Sequence, residues 1–248
     1  MTVPVTAPET ALMRDLRGLA RDLTRIYQAD FVSLILYGPS VDLPRAPRDG
    51  EVQVLIVLRD PGLPMLEKAQ ELMAAWWRSH RLAPLFLGEQ EFFRSLDVFP
   101  LEFTHMRKRY ICLHGQDVLA AMVIQPEHLR LQVEESLKTR AFWLRQFYVR
   151  DGRKERQLRE LLSSTFNGLL EICDGLLVLR GQMLPQQPEA IIQAVARAYG
   201  LDITLLRALL GVARGQAAPK HQELIGLALA CDRLLNSLIN TVDRMEAP

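Results

Sequence analysis

The stretch from Phe31 to Leu58 constrains this chain more than any other. An apolar run, Phe31-Val-Ser-Leu-Ile-Leu-Tyr37, is followed by Gly38-Pro39-Ser40. A polar loop with two prolines and a glycine comes next, Asp42-Leu-Pro-Arg-Ala-Pro-Arg-Asp-Gly50, and then a second run, Glu51-Val-Gln-Val-Leu-Ile-Val-Leu58. Short runs rich in Val, Ile and Leu and bounded by Gly and Pro suit buried strands. Residues i and i+2 of a strand share a face, so Glu51 and Gln53 project together where the second strand opens.

The rest of the N-terminal half reads as strands and helices in alternation. Residues 9–28 carry Leu12, Leu16, Leu19, Ala20, Leu23, Ile26 and Tyr27 on one helical face. Thr6 and Glu9 offer a capping box, with Pro8 in the first turn. Residues 64–81 predict one amphipathic helix with Leu66, Ala69, Leu72, Met73, Trp76 and Trp77 inside. Leu82–Leu87 is a third strand ending at Gly88, and Glu89–Leu96 a short helix. Phe99–Phe103 and Tyr110–Leu113 are shorter apolar pieces.

From Glu127 onward, helical periodicity takes over. Residues 127–150 and 154–180 read as long helices, 188–199 and 202–211 as shorter ones, and 219–246 as a last helix with Pro219 near its start. The expected fold class is α/β (α+β): a mixed-sheet domain over 1–122 and an all-α helical bundle over 123–248.

Composition narrows the function classes. A net charge of +1 does not point to a wholesale nucleic-acid or membrane binder. Cys112, Cys173 and Cys231 are few and scattered, which argues against a zinc site or disulfide framework and fits a cytoplasmic protein. Met1-Thr-Val-Pro-Val-Thr-Ala-Pro8 lacks the basic and apolar regions of a signal peptide. No apolar run approaches the roughly 20 residues of a membrane span.

Strand, Gly/Ser turn, loop, strand, helix, strand is an order that resembles the nucleotidyltransferase superfamily, the DNA polymerase beta-like fold. In that pattern Gly-Ser is followed, after about ten residues, by Asp-x-Asp. From Ser40 the same count lands on Glu51 and Gln53. A helical C-terminal domain is similar to that of the small antibiotic nucleotidyltransferases and the minimal bacterial ones. Asp97-Val-Phe-Pro-Leu-Glu-Phe103, Leu113-His-Gly-Gln-Asp117 and Leu129-Arg-Leu-Gln-Val-Glu134 also resemble bacterial nucleotidyltransferase-domain proteins that bring no activity with them.

The resemblance implies nucleotidyl transfer by two divalent ions on clustered carboxylates, with the Gly-Ser turn at the phosphates. Gly38, Ser40, Glu51 and Gln53 are the nucleotide-binding candidates it implies here, and Glu51 the catalytic candidate. Pro39 departs from the motif and removes a backbone donor. Glu51 is a methylene longer than Asp, and the amide oxygen of Gln53 is a poor Mg²⁺ ligand. The third carboxylate belongs on the next core strand, where Leu82-Ala-Pro-Leu-Phe-Leu87 has none. Glu89 and Glu91, just beyond it, are the nearest metal candidates.

The expectation is therefore a catalytically degenerate nucleotidyltransferase, a pseudoenzyme that binds a nucleotide weakly, associates with protein, or does both. One alternative is an active Mg²⁺-dependent enzyme using Glu51 with Glu89 or Glu91. Another is a non-enzymatic interaction module, as a homodimer or with a protein partner. Membrane and nucleic-acid partners are not expected.

Other constellations read more plainly. Arg214 and His221 have the spacing found in HEPN-type ribonucleases, but Gly215 and Pro219 between them favour a loop arginine and a helix-start histidine. His105-Met-Arg-Lys-Arg-Tyr110 is a basic cluster, read as a solvated face. Asp97 and Glu102 read as turn residues. Glu134 and Glu135 have Lys138 within one turn and read as surface pairing, although helical-domain glutamates serve as the base in antibiotic nucleotidyltransferases. Trp76 and Trp77 are adjacent, so a helix buries only one of them well.

Overall fold

The two apolar runs are strands, and both are buried because each lies between neighbours. In the computed structural model, which describes residues 9–47 and 50–245, β1 (Phe31–Tyr37) pairs antiparallel with β2 (Val52–Leu58). β3 (Leu82–Gly88) runs parallel to β2, and β4 (Tyr110–Gly115) runs antiparallel to β1, giving the sheet order β3-β2-β1-β4. The parallel β2–β3 pair requires a crossover. The segment between those strands supplies it with helices α2 (Leu63–Glu67) and α3 (Gln70–His80).

Alternation along the strands divides the sheet into two faces. Leu34, Leu36, Val52, Val54, Ile56 and Leu58 share one core with Leu12, Leu16, Leu19 and Leu23 of α1 (Ala11–Tyr27). Ser33, Ile35, Leu55 and Val57 face the other way and are equally buried. Burial on both faces explains why β1 and β2 read as continuous apolar runs rather than alternating ones.

Helix α1 begins at Ala11. Thr10 caps it, its hydroxyl accepting from the Met13 amide at 3.2 Å. The Thr6 capping box lies outside the described residues. The single helix expected over 64–81 is broken at Lys68-Ala69, where Ala69 is fully buried. Trp76 packs against the core and stacks on His80, with centroids 4.3 Å apart. Trp77 stays outside under the Arg81 guanidinium, 5.0 Å from the ring centroid.

After β3 come α4 (Glu89–Arg94) and α5 (Pro100–Lys108), so Phe99–Phe103 opens a helix, with Pro100 at its first position. α6 (Val118–Ala121) follows β4, capped by Asp117.

The chain divides into two compact units, 1–123 and 124–248. The second is helical: α7 (Pro126–Asp151), α8 (Glu155–Leu179), α9 (Pro188–Tyr199), α10 (Ile203–Ala213) and α11 (His221–Asp243). By length and composition α8 is apolar enough to cross a membrane, but it is mostly buried. It packs on α7, α9, α10 and α11 and serves as the unit's core helix. None of the three cysteines is in a disulfide.

Candidate functional site

The turn after β1 is built around one glycine and one serine. Gly38 has φ +65°, a left-handed conformation that glycine adopts without a Cβ penalty. Space demands it as well, because a Cβ there would meet the Gln53 side-chain oxygen at 2.7 Å. The Gly38 amide donates to the Arg109 carbonyl at 2.9 Å, tying the turn to the start of β4.

Ser40 is almost fully buried, and both capacities of its hydroxyl are engaged. It donates to the Glu51 carbonyl at 3.3 Å and accepts from the Gln53 amide at 3.1 Å. The hydroxyl thus bridges the turn to the first residues of β2. The turn brings Gly38, Ser40 and Gln53 together, and Glu51 joins them through its backbone carbonyl. Gln53 lies against Gly38, and Ser40 holds the backbone of Glu51, just before β2, and of Gln53 within it.

Val52 and Val54 point into the α1 core, so Glu51 and Gln53 belong to the opposite face. Glu51 is exposed and Gln53 half-buried. In the β2–β3 register Gln53 sits beside Ala83, and Leu55 beside Leu85. No carboxylate therefore flanks Gln53 on β3.

Glu89 and Glu91 are elsewhere. The register runs from Val52 beside Leu82 to Leu58 beside Gly88. Both glutamates follow Gly88, at the far end of β2 from Glu51. At about 3.3 Å per residue the separation from Glu51 is roughly 20 Å or more. Ligands of one Mg²⁺ each lie about 2.1 Å from it, so Glu51 cannot share an ion with either. Glu91 is also engaged locally, its carboxylate accepting from the Gly88 amide at 3.0 Å as the capping box of α4. The expected pairing of Glu51 with Glu89 or Glu91 fails because parallel strands place the end of β3 beside the end, not the start, of β2. Among the described residues no group of three or more His, Cys, Asp or Glu side chains is placed to hold a metal.

The basic cluster before β4 is dispersed rather than presented as one patch. Arg109 forms an ion pair with Asp42, at the end of the Gly38 turn. Arg107 donates to the Met122 carbonyl at 3.2 Å. The Tyr110 hydroxyl donates to Asp117 at 3.1 Å, and burial together with the Asp117 charge pushes its pKa up to about 12. Sequence reading missed the Asp42–Arg109 pair, since nothing local in the chain joins residues so far apart.

The helical-unit candidates are engaged as well. Glu134 accepts from Arg130 at 2.9 Å and from Lys138, and these partners, Lys138 foremost, hold its carboxyl below the usual range. A carboxylate so stabilised is a weak general base. Arg214 pairs with Glu189, and His221 opens α11.

A mixed sheet with a Gly/Ser turn between its central antiparallel strands, followed by a helical unit, defines a nucleotidyltransferase-like fold. Among solved structures the chain is similar to a spectinomycin adenyltransferase, AAD(9), from Enterococcus faecialis, determined with ATP and spectinomycin. The TM-score is 0.55 at 11% identity, over 93% of this chain and 99% of that one. At that identity the likeness is one of architecture. No family model matches the chain, and no curated protein matches it in sequence.

Proposed function

We propose that this nucleotidyltransferase-fold protein is catalytically degenerate and works in the cytoplasm by binding a nucleotide weakly at the Gly38–Ser40 turn, another protein, or both. The observation that carries this reading is the surroundings of Gln53. The second position of the Asp-x-Asp pattern holds a neutral amide packed on Gly38, and its β3 neighbour is Ala83. One exposed carboxylate, Glu51, is too little to hold two divalent ions against the charge of a triphosphate.

Exposed apolar side chains on α7 favour protein association alongside. Phe142 is 63%, Trp143 49% and Val149 86% exposed.

The test is a thermal shift with each of the four NTPs, with Mg²⁺ and with EDTA, on wild type and Glu51→Ala. A ligand that binds only the folded state raises the midpoint. The expected result is a shift of a few degrees that persists in EDTA and in Glu51→Ala. A shift that requires Mg²⁺ and disappears in Glu51→Ala, with NTP turnover, would overturn the degenerate reading. No shift, with a defined oligomer by light scattering, would leave association as the function.

A further inference from the structure

The other face of the N-terminal unit carries a groove beside a row of arginines. Helix α1 turns its apolar face to the sheet, and one flank carries Arg14, Arg17, Arg21 and Arg25. The spacings of three, four and four residues place all four in one row. The row faces the edge strand β4, and between them lies a groove of about 800 Å³, lined by the four arginines, Thr24 and His114, with Leu113 at its floor.

The charge in this groove is only partly compensated. Arg17 pairs with Glu9 at 3.3 Å and Arg25 with Asp22 at 3.3 Å, both in exposed geometry. Among the described residues Arg14 and Arg21 have no ion-pair partner. Of the acidic residues of α1, Asp22 is the partner of Arg25, and Asp15 meets His80 of α3 at 3.5 Å. His114 is exposed, with its ring stacked on Phe31 at 4.8 Å and nearly parallel to it.

We infer that this groove binds the phosphate backbone of a single-stranded nucleic acid. Arg25 lies eleven positions after Arg14 along the helix, a row of about 16 Å. That is longer than a single triphosphate needs and suits successive phosphates of a strand. A positive groove with an aromatic ring beside it is the arrangement that binds single strands without sequence preference. The chain's near-zero net charge does not oppose this, because local concentration of charge sets the electrostatic footprint. The inference does not rest on the Gly38 site. Leu113 and His114 lie level with Leu34 and belong to the α1 side of the sheet, whereas Gln53 faces the other side.

The experiment is fluorescence anisotropy with a labelled eight-nucleotide oligo-U, its DNA counterpart, a duplex of equal length and a poly-glutamate peptide, each at 50 and 200 mM salt. Three or four phosphate contacts give a log–log slope of about −2 to −3 for a single strand, a roughly 20–50-fold loss between the two salts. Arg14→Gln with Arg21→Gln should weaken single-strand binding at least tenfold and make the slope shallower by about 1.4. Both residues are exposed, so the unfolding midpoint should not move. Arg207→Gln with Arg233→Gln, in the helical unit, should change nothing. Absence of single-strand binding, equal loss in the control pair, or tighter binding of the duplex or the acidic peptide would overturn the inference.

Discussion

Gly115→Ala is expected to lower the stability of the N-terminal unit by about 3–5 kcal/mol, at the upper end of what single substitutions do. Gly115 has φ +75°, which costs a non-glycine residue about 1–2 kcal/mol by itself. The larger part is collision. A Cβ at this position falls 2.0 Å from the Val32 carbonyl oxygen and 2.9 Å from its carbon. Those are backbone atoms of β1, and the same oxygen accepts from the Gln116 amide at 3.0 Å. Neither strand can yield without loss of the pairing that joins β4 to the sheet at Ser33. The measurement is thermal and urea unfolding followed by far-ultraviolet circular dichroism, with the two units treated as separate transitions where they resolve. A drop of roughly 10–20 °C in the N-terminal transition is expected. A change under about 2 °C would mean that β4 leaves room for a Cβ beside the Val32 carbonyl.

Ser40→Ala carries the second-largest effect, about 2–4 kcal/mol. The hydroxyl serves two backbone groups at once, the Glu51 carbonyl and the Gln53 amide, in surroundings almost closed to water. Removing it leaves two part-buried backbone groups without this partner, at about 1–2 kcal/mol each. Urea unfolding reads the loss of stability. Hydrogen exchange reads its place: the Gln53 amide should lose protection while the amides of Leu55 to Val57 keep theirs relative to global stability. A neutral Ser40→Ala with unchanged Gln53 exchange would show that the hydroxyl is not committed to the backbone and is available to a ligand.

These two sites differ in how far the sequence revealed them. The Gly38–Ser40 turn was legible because its residues act within a short span: strand, turn, counted loop, strand. Gly115 closes an apolar run that was equally legible, yet its collision partner, Val32, lies on another strand. Pairing across the sheet is what makes the glycine necessary. The α1 arginines were missed for a different reason. Helical periodicity marks only the apolar face, and the polar flank acquires meaning only when β4 supplies the opposite wall.

The metal candidates show the same division. Glu89 and Glu91 are near Leu87 in the chain, and proximity to the third strand made them the natural partners for Glu51. The strand direction decides otherwise. A crossover through α2 and α3 makes β3 parallel to β2, so the glutamates emerge beside Leu58 rather than beside Gln53. Had β3 been antiparallel, they would have arrived at the Glu51 end.

By itself, then, the sequence determined the element types, the mixed-sheet and helical halves, and the absence of the paired aspartates. All of these depend on local composition and period, which neighbouring residues carry in full. Only the tertiary structure decided which carboxylates meet, what Ser40 holds, why Gly115 must be glycine, and that four arginines of α1 face an edge strand. Those depend on strand order and register, which are set by the packing of segments far apart in the chain.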